Sequence, residues 1–162
     1  MKTFLILTLS LIIIGCSNEP QNKESLGSAS NEEKFLPDSN YVVIQYDNQK
    51  HQYKFETGNS TSLNVEELKQ IEQILDSAID EHNKKVESHF QISTLDYKRQ
   101  YLPILNENNE KVIWINFNRG TWAEVFEKDE IYEVMDGGNC HFNITINLTT
   151  KTYYNLFVNG YA

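Results

Sequence analysis

Residues 63–87 read LNVEELKQIEQILDSAIDEHNKKVE, and the spacing within them decides how the chain can fold. Val65, Leu68, Ile71, Leu75, Ala78, Ile79, His82 and Val86 recur at intervals of three and four, which lays one apolar stripe along a helix. Asn64 can cap its start, with Glu67 three residues on as the reciprocal partner of a capping box. Leu63 and Leu68 stand where a hydrophobic staple would bracket that cap. Glu66, Glu67, Lys69, Gln73, Asp80, Lys84 and Lys85 occupy other angles and should be wet, and Glu72 also lies off the stripe. The pattern predicts a helix near Val65 to Glu87 that needs an apolar sheet to cover its stripe.

The flanking sequence supplies strands. Tyr41 to Tyr46 is rich in β-branched and aromatic residues, and His51 to Glu56 alternates apolar with polar. Asp47-Asn48-Gln49-Lys50 between them carries turn residues, so a hairpin is predicted there. Tyr97 to Leu105 and Lys111 to Asn118 follow, parted by the polar turn Asn106 to Asn109. Pro103 cannot donate to a ladder, which places it at an edge or a bulge. Arg119 to Glu130 reads as a short helix or a loop, and Ile131 to Met135 as a further strand before the turn Asp136-Gly137-Gly138-Asn139. Cys140, Phe142, Ile144, Ile146 and Leu148 then alternate inward against His141, Asn143, Thr145 and Asn147 outward. A last strand is expected at Thr152 to Val158. The fold class is therefore α+β: an N-terminal hairpin, one long amphipathic helix and a mostly antiparallel sheet packed on it. This order looks like cystatin-like or related helix-on-sheet folds, an analogy that carries no function.

The first sixteen residues have a different character. Lys2 precedes an apolar run from Phe4 to Ile14, and Gly15 stands directly before Cys16. At about 1.5 Å per residue such a run covers roughly half of a ~30 Å hydrocarbon core, so it reads as a signal-peptide segment. With the cysteine it resembles the lipobox of bacterial lipoproteins, where cleavage precedes the cysteine and the cysteine carries lipid. That resemblance implies a signal peptide at 1–15, lipidation at Cys16, a lipidated tether at 16–40 and one globular domain at 41–162. Residues 17–39 are polar and serine-rich, a composition that stays disordered, with a coil span of roughly 27 Å. The C-terminal DGGNCHFNITINLTTKTYYNLFVNGYA, with WINFN before it, resembles small uncharacterised lipoproteins and exported proteins of the Bacteroidota type. Ser17-Asn18-Glu19 resembles, with less acid, the short export tags of such proteins. The resemblance implies a cell-envelope location, lipid-anchored in the outer membrane and facing the periplasm or the surface.

Charge narrows the partners. The chain has 14 basic and 23 acidic side chains, a net charge of −9. Loss of residues 1–15 removes Lys2, leaving 13 against 23, or −10. Such a surface repels phosphate backbones, which argues against nucleic acid and leaves the membrane link to the acyl chains at Cys16. With Cys16 lipidated, Cys140 should be a buried, inert thiol without a partner.

Catalytic patterns do not emerge. His51, His82, His89 and His141 are dispersed with no H-E-x-x-H spacing, so neither a metal nor a cofactor is implied. There is no G-x-S-x-G elbow, and Gly137-Gly138 sits between strands rather than before a helix. The distinctive residues are aromatic. Tyr153, Asn155 and Phe157 share one strand face by alternation, and with Trp122 they are the candidate ligand-binding residues, a stacking platform for a glycan or a protein partner. Three functions fit: a non-enzymatic binding or structural module of the envelope; an inhibitor or immunity protein against a basic secreted toxin or hydrolase; and an enzyme with a cleft between helix and sheet.

Overall fold

The computed structural model describes residues 40–119 and 130–160. The signal segment, the tether, Cys16, Trp122 and most of the 119–130 connection lie outside the described residues. Strand β1 (Tyr41–Val43) leads into a short helix α1 (Asn48–His51), then β2 (Asn59–Ser60), the main helix α2 (Val65–Asn83), and strands β3 (Lys98–Leu105), β4 (Lys111–Asn118), β5 (His141–Asn147) and β6 (Thr152–Val158). The six strands form one mixed sheet ordered β1-β3-β4-β5-β6, with β2 also on β3, so the class is α+β. All pairings are antiparallel except β1 with β3.

The expected hairpin at 41–56 is not what these residues make. Tyr41 to Val43 runs parallel to Arg99–Tyr101. Asp47 uses its carboxylate to accept from the N–H groups of Gln49 (2.8 Å) and Lys50 (3.3 Å), which caps α1 and turns the chain into a helix instead of a β-turn. His51 is buried, and its Nδ1 accepts from the Asp47 N–H at 3.0 Å. The parallel pairing also explains Pro103. Tyr101 C=O accepts from Ile44 N–H at 2.8 Å, so Pro103, two residues on, faces the same side. There it falls between the parts of β3 that pair with β1 and β2, where no donor is needed.

Helix α2 begins with Asn64 Oδ1 accepting from Glu67 N–H and Glu67 Oε2 accepting from Asn64 N–H, both at 2.9 Å. Leu68, Ile71, Leu75, Ala78 and Ile79 are buried, whereas Val65 in the first turn is 59% exposed. The helix stops at Asn83, four residues short of Glu87. The Asn83 side chain clasps the Ile92 backbone, accepting from its N–H at 2.9 Å and donating to its C=O at 2.8 Å, and so folds the following loop back.

One face of the sheet meets this helix. Tyr101, Ile113, Ile115, Phe117, Phe142, Ile144 and Ile146 pack against the helix stripe in a single cluster. Phe117 and Phe142 stack with centroids 4.1 Å apart. The opposite face carries a second cluster of Ile44, Tyr46, Leu102, Ile104, Val112 and Trp114, with Phe55 and Ile131 at its margin. The expected strand at Ile131 to Met135 is absent; this stretch is irregular chain lying over that second face. Cys140 ends a 3-10 turn (Gly138–Cys140) at the start of β5. It is buried, but it is disulfide-bonded rather than the free thiol expected: it closes the turn before β5 and is not part of the strand whose alternation suggested an inert core position. The sequence holds one other cysteine, Cys16.

Glu72 also departs from expectation. Arg99, 1% exposed on the helix-facing side of β3, ion-pairs with Glu72, donates to Thr94 C=O at 3.0 Å and lies 3.2 Å from the Tyr101 hydroxyl. Burial opposes the Arg99 charge, yet Tyr101 and Glu72 together hold its pKa above the ordinary value. Burial likewise pushes the Tyr101 phenol up to about 12. A helix position off the apolar stripe thus anchors a buried cation.

Two substitutions separate these contributions. Leu75→Ala, at a fully buried position, should cost about 2–5 kcal/mol in urea unfolding. Glu72→Ala should cost about 1–3 kcal/mol by leaving Arg99 without its carboxylate, against less than about 0.5 kcal/mol for exposed Asp76→Ala. Equal midpoints for the Glu72 and Asp76 variants would mean that the ion pair contributes nothing.

Candidate functional site

The sheet face turned away from α2 is where the chain departs most from an ordinary core. Its strands were expected to show polar side chains to water, but those side chains are covered. Gln100, Asn116, Asn118, His141, Thr145 and Asn147 are all buried, at 8% exposure or less. Buried amides need partners, and here the partner is backbone that no strand satisfies. Gln100 Nε2 donates to Glu130 C=O at 2.7 Å, and Gln100 Oε1 accepts from Tyr132 N–H at 2.9 Å. Asn116 Nδ2 donates to Tyr132 C=O at 2.5 Å, and Asn159 Nδ2 to the carbonyls of Val134 (2.5 Å) and Asp136 (2.8 Å). Residues 130–136 are thereby strapped across the sheet by side-chain amides. Lys54 adds an ion pair to Glu133, with its ammonium 4.3 Å from the Trp114 ring centroid and 5.1 Å from that of Tyr53.

The lower end of this face holds a buried pair. His141 Nδ1 lies 2.7 Å from Asn118 Oδ1, while Asn118 Nδ2 has no partner. Gly137, at φ 89°, lets the turn close over the imidazole, since a Cβ there would stand 2.7 Å from His141 Cδ2. Burial lowers the His141 pKa against the opposing pull of Asp136. Among the described residues its ring is engaged by the Asn118 amide, an arrangement that orders the turn.

Among the described residues, strand β6 is the outer strand of the sheet, and it carries the aromatic candidates. The ladder with β5 pairs Tyr153 with Ile146 and Tyr154 with Thr145, then slips, so that Phe157 meets Asn143 and Val158 meets Phe142. The slip centres on Asn155, whose φ of 52° forms a bulge. Alternation is broken there, so Tyr153, Asn155 and Phe157 do not share a face. Tyr153 turns to the helix side and donates its hydroxyl to Glu81 of α2. Asn155 is exposed at the kink. Phe157 joins Tyr154 on the amide-lined face, since directly paired residues share a side. The two rings are 60% and 44% exposed, beside Asn143 and Thr145 on β5. Burial and Glu110 raise the Tyr154 pKa, so the hydroxyl stays protonated and able to donate.

The sequence-derived candidates are therefore split. Phe157 is presented to solvent, Tyr153 is committed to the helix, and Trp122 and Cys16 lie outside the described residues. Sequence reasoning missed Tyr154, because only the bulge brings it to the side of Phe157. It also missed the clasp of Gln100, Asn116 and Asn159; the available signal was the pair Asn116 and Asn118 at alternate positions at the end of β4. Among the described residues, no group of three His, Cys, Asp or Glu could hold a metal, and no helix is long and apolar enough to cross a membrane. The chain matches no protein-family model, no curated protein and no solved structure.

The buried histidines give a pH test with a definite sign. His141 and His51 both have lowered pKa values in the fold, so the unfolded chain takes up protons first. Their contribution to stability is complete above the ordinary value of 6.5 and is lost as pH falls below it. The urea midpoint should drop between about pH 7.5 and about pH 5.5, and His141→Gln should flatten part of that drop. An unchanged slope in His141→Gln would show that His141 is protonated as readily in the fold as out of it.

Proposed function

We propose that the chain is a lipid-anchored lipoprotein of the cell envelope, held in the outer membrane through Cys16, whose domain is a non-enzymatic binding module. The observation that carries the binding reading is the exposed pair Tyr154 and Phe157 on a face lined with amides and hydroxyls. Rings offer stacking area at low entropic cost, and the half-buried Asn143 amide beside Phe157 adds a hydrogen-bonding group without selecting for charge. The anchoring half rests on the Met1–Cys16 pattern. The architecture, one main helix laid across a largely antiparallel sheet, supports a likeness to cystatin-like and related helix-on-sheet folds in shape, not in activity. The space between α2 and the sheet is filled by the main core cluster, which favours a surface contact over an enzyme cleft at that interface.

A second reading, an inhibitor or immunity protein against a basic secreted toxin or hydrolase, draws on the net charge of −9. The two readings differ in salt dependence. Immobilised protein should retain its ligand through Tyr154 and Phe157, so Tyr154→Ser with Phe157→Ser should abolish capture from panels of neutral oligosaccharides and of basic secreted hydrolases. Capture that both variants keep, and that moderate salt removes, would transfer the function to the acidic surface.

Anchoring has its own test. Metabolic labelling with a palmitate analogue should mark the wild type and not Cys16→Ser. A lipid thioether and a disulfide cannot share the Cys16 sulfur, so the thiol count after denaturation without reductant separates them. One thiol per chain, Cys140 without the disulfide it makes in the full-length chain, is expected from processed, membrane-bound protein. None would mean that the sulfur of Cys16 is engaged with Cys140 and that the lipid reading fails.

A further inference from the structure

The strand directions place several features at one end of the sheet. Residue 40, where the polar stretch after Cys16 joins the domain, precedes β1, and β1 starts beside Arg99 at the beginning of β3. Because β4 and β6 run opposite to β3, their last residues, Asn118 and Val158, lie at that same end, as does His141 at the start of β5. The loop from α2 to β3 is held there too, since Asn139 donates to Gln91 C=O at 2.8 Å. On this end Leu95 is 71% exposed, Met135 93% and Phe90 40%. The turns at the far end, Asn106–Glu110 and Thr149–Lys151, carry polar side chains instead.

We propose that the tether-bearing end of the domain rests on the bilayer that holds the anchor, with Leu95 and Met135 entering the headgroup boundary. The inference builds on the anchoring reading above and adds an orientation that a coil tether alone does not impose. Exposed apolar side chains on separate loops that converge on one end form an interfacial contact rather than a scatter of isolated residues. Among the described residues, Lys98 and Arg119 at this end partly offset Glu87, Asp96 and Asp136. About two dozen residues separate Cys16 from residue 40, so the anchor keeps this end at high effective concentration near lipid, and a weak contact suffices. Membrane contact here leaves Tyr154 open to a ligand approaching from the side.

The test uses the processed full chain in phosphatidylcholine nanodiscs doped with a gadolinium-chelate headgroup lipid, read by amide line broadening. Amides of 88–97 and 133–137 should broaden selectively, while those of 106–110 and 149–151 remain sharp. Leu95→Glu with Met135→Glu should stay in the nanodisc fraction, melt like the wild type because both sites are exposed, and lose the selectivity. Even broadening over the wild-type surface, or broadening of the far end, would overturn the orientation while leaving the anchor in place. Wild-type protein that does not remain with the nanodiscs would defeat the anchoring reading itself, and the orientation with it.

Discussion

Strand β4 is buried along both faces, and the rest of the architecture answers to that constraint. A strand in the middle of an antiparallel sheet commonly shows one side to water. Here one helix can cover only one side, so Ile113, Ile115 and Phe117 meet α2, and Val112, Trp114 and Asn116 must be sealed by something else. The connection between β1 and β2, which contains α1, seals the upper part with Ile44, Tyr46 and Phe55. The lower part is sealed by irregular chain, which cannot satisfy its own backbone groups. That need explains why the covered face is built from Gln100 and Asn116 rather than from leucine and valine.

The same constraint accounts for Arg99. An arginine inside the helix–sheet interface is costly to desolvate unless every charged edge is met. Glu72, Tyr101 and the Thr94 carbonyl meet most of the guanidinium, and its Cζ lies 5.1 Å from the Phe117 ring centroid. The ion pair is directional where the surrounding apolar contacts are not. It fixes the rotation of α2 about its axis and ties the helix to the same strand that receives β1.

How far the chain could be read in advance depended on whether the signal was local. The start of α2 is written in Asn64 and Glu67, three residues apart, and the β3, β4, β5 and β6 segments in runs of alternating or apolar residues parted by turn residues. Long-range choices were not legible. Nothing near Tyr41 announces a parallel partner almost sixty residues away, and Asp47 fits a turn as well as a helix cap until the fold selects one. Ile131 to Met135 has the composition of a strand, but its hydrogen bonds go to side-chain amides instead of a neighbouring ladder. For the candidate site, Phe157 was legible as an aromatic on a strand. Its partner Tyr154 was not, because a single residue at positive φ reversed the parity of everything beyond it.

That residue has a consequence for how the molecules behave when crowded together. Strand β6 carries no charge from Thr152 to Val158 and is rich in aromatics, a composition that ordinarily invites edge-to-edge growth into ribbons. The kink at Asn155 divides its free margin into two short, differently inclined segments, neither long enough to template a neighbouring strand. An asparagine tolerates the left-handed backbone that a β-branched residue resists, so one side chain keeps a sticky border from becoming a seam. The bulge therefore lets the strand expose its rings without offering a continuous straight edge for another strand to extend.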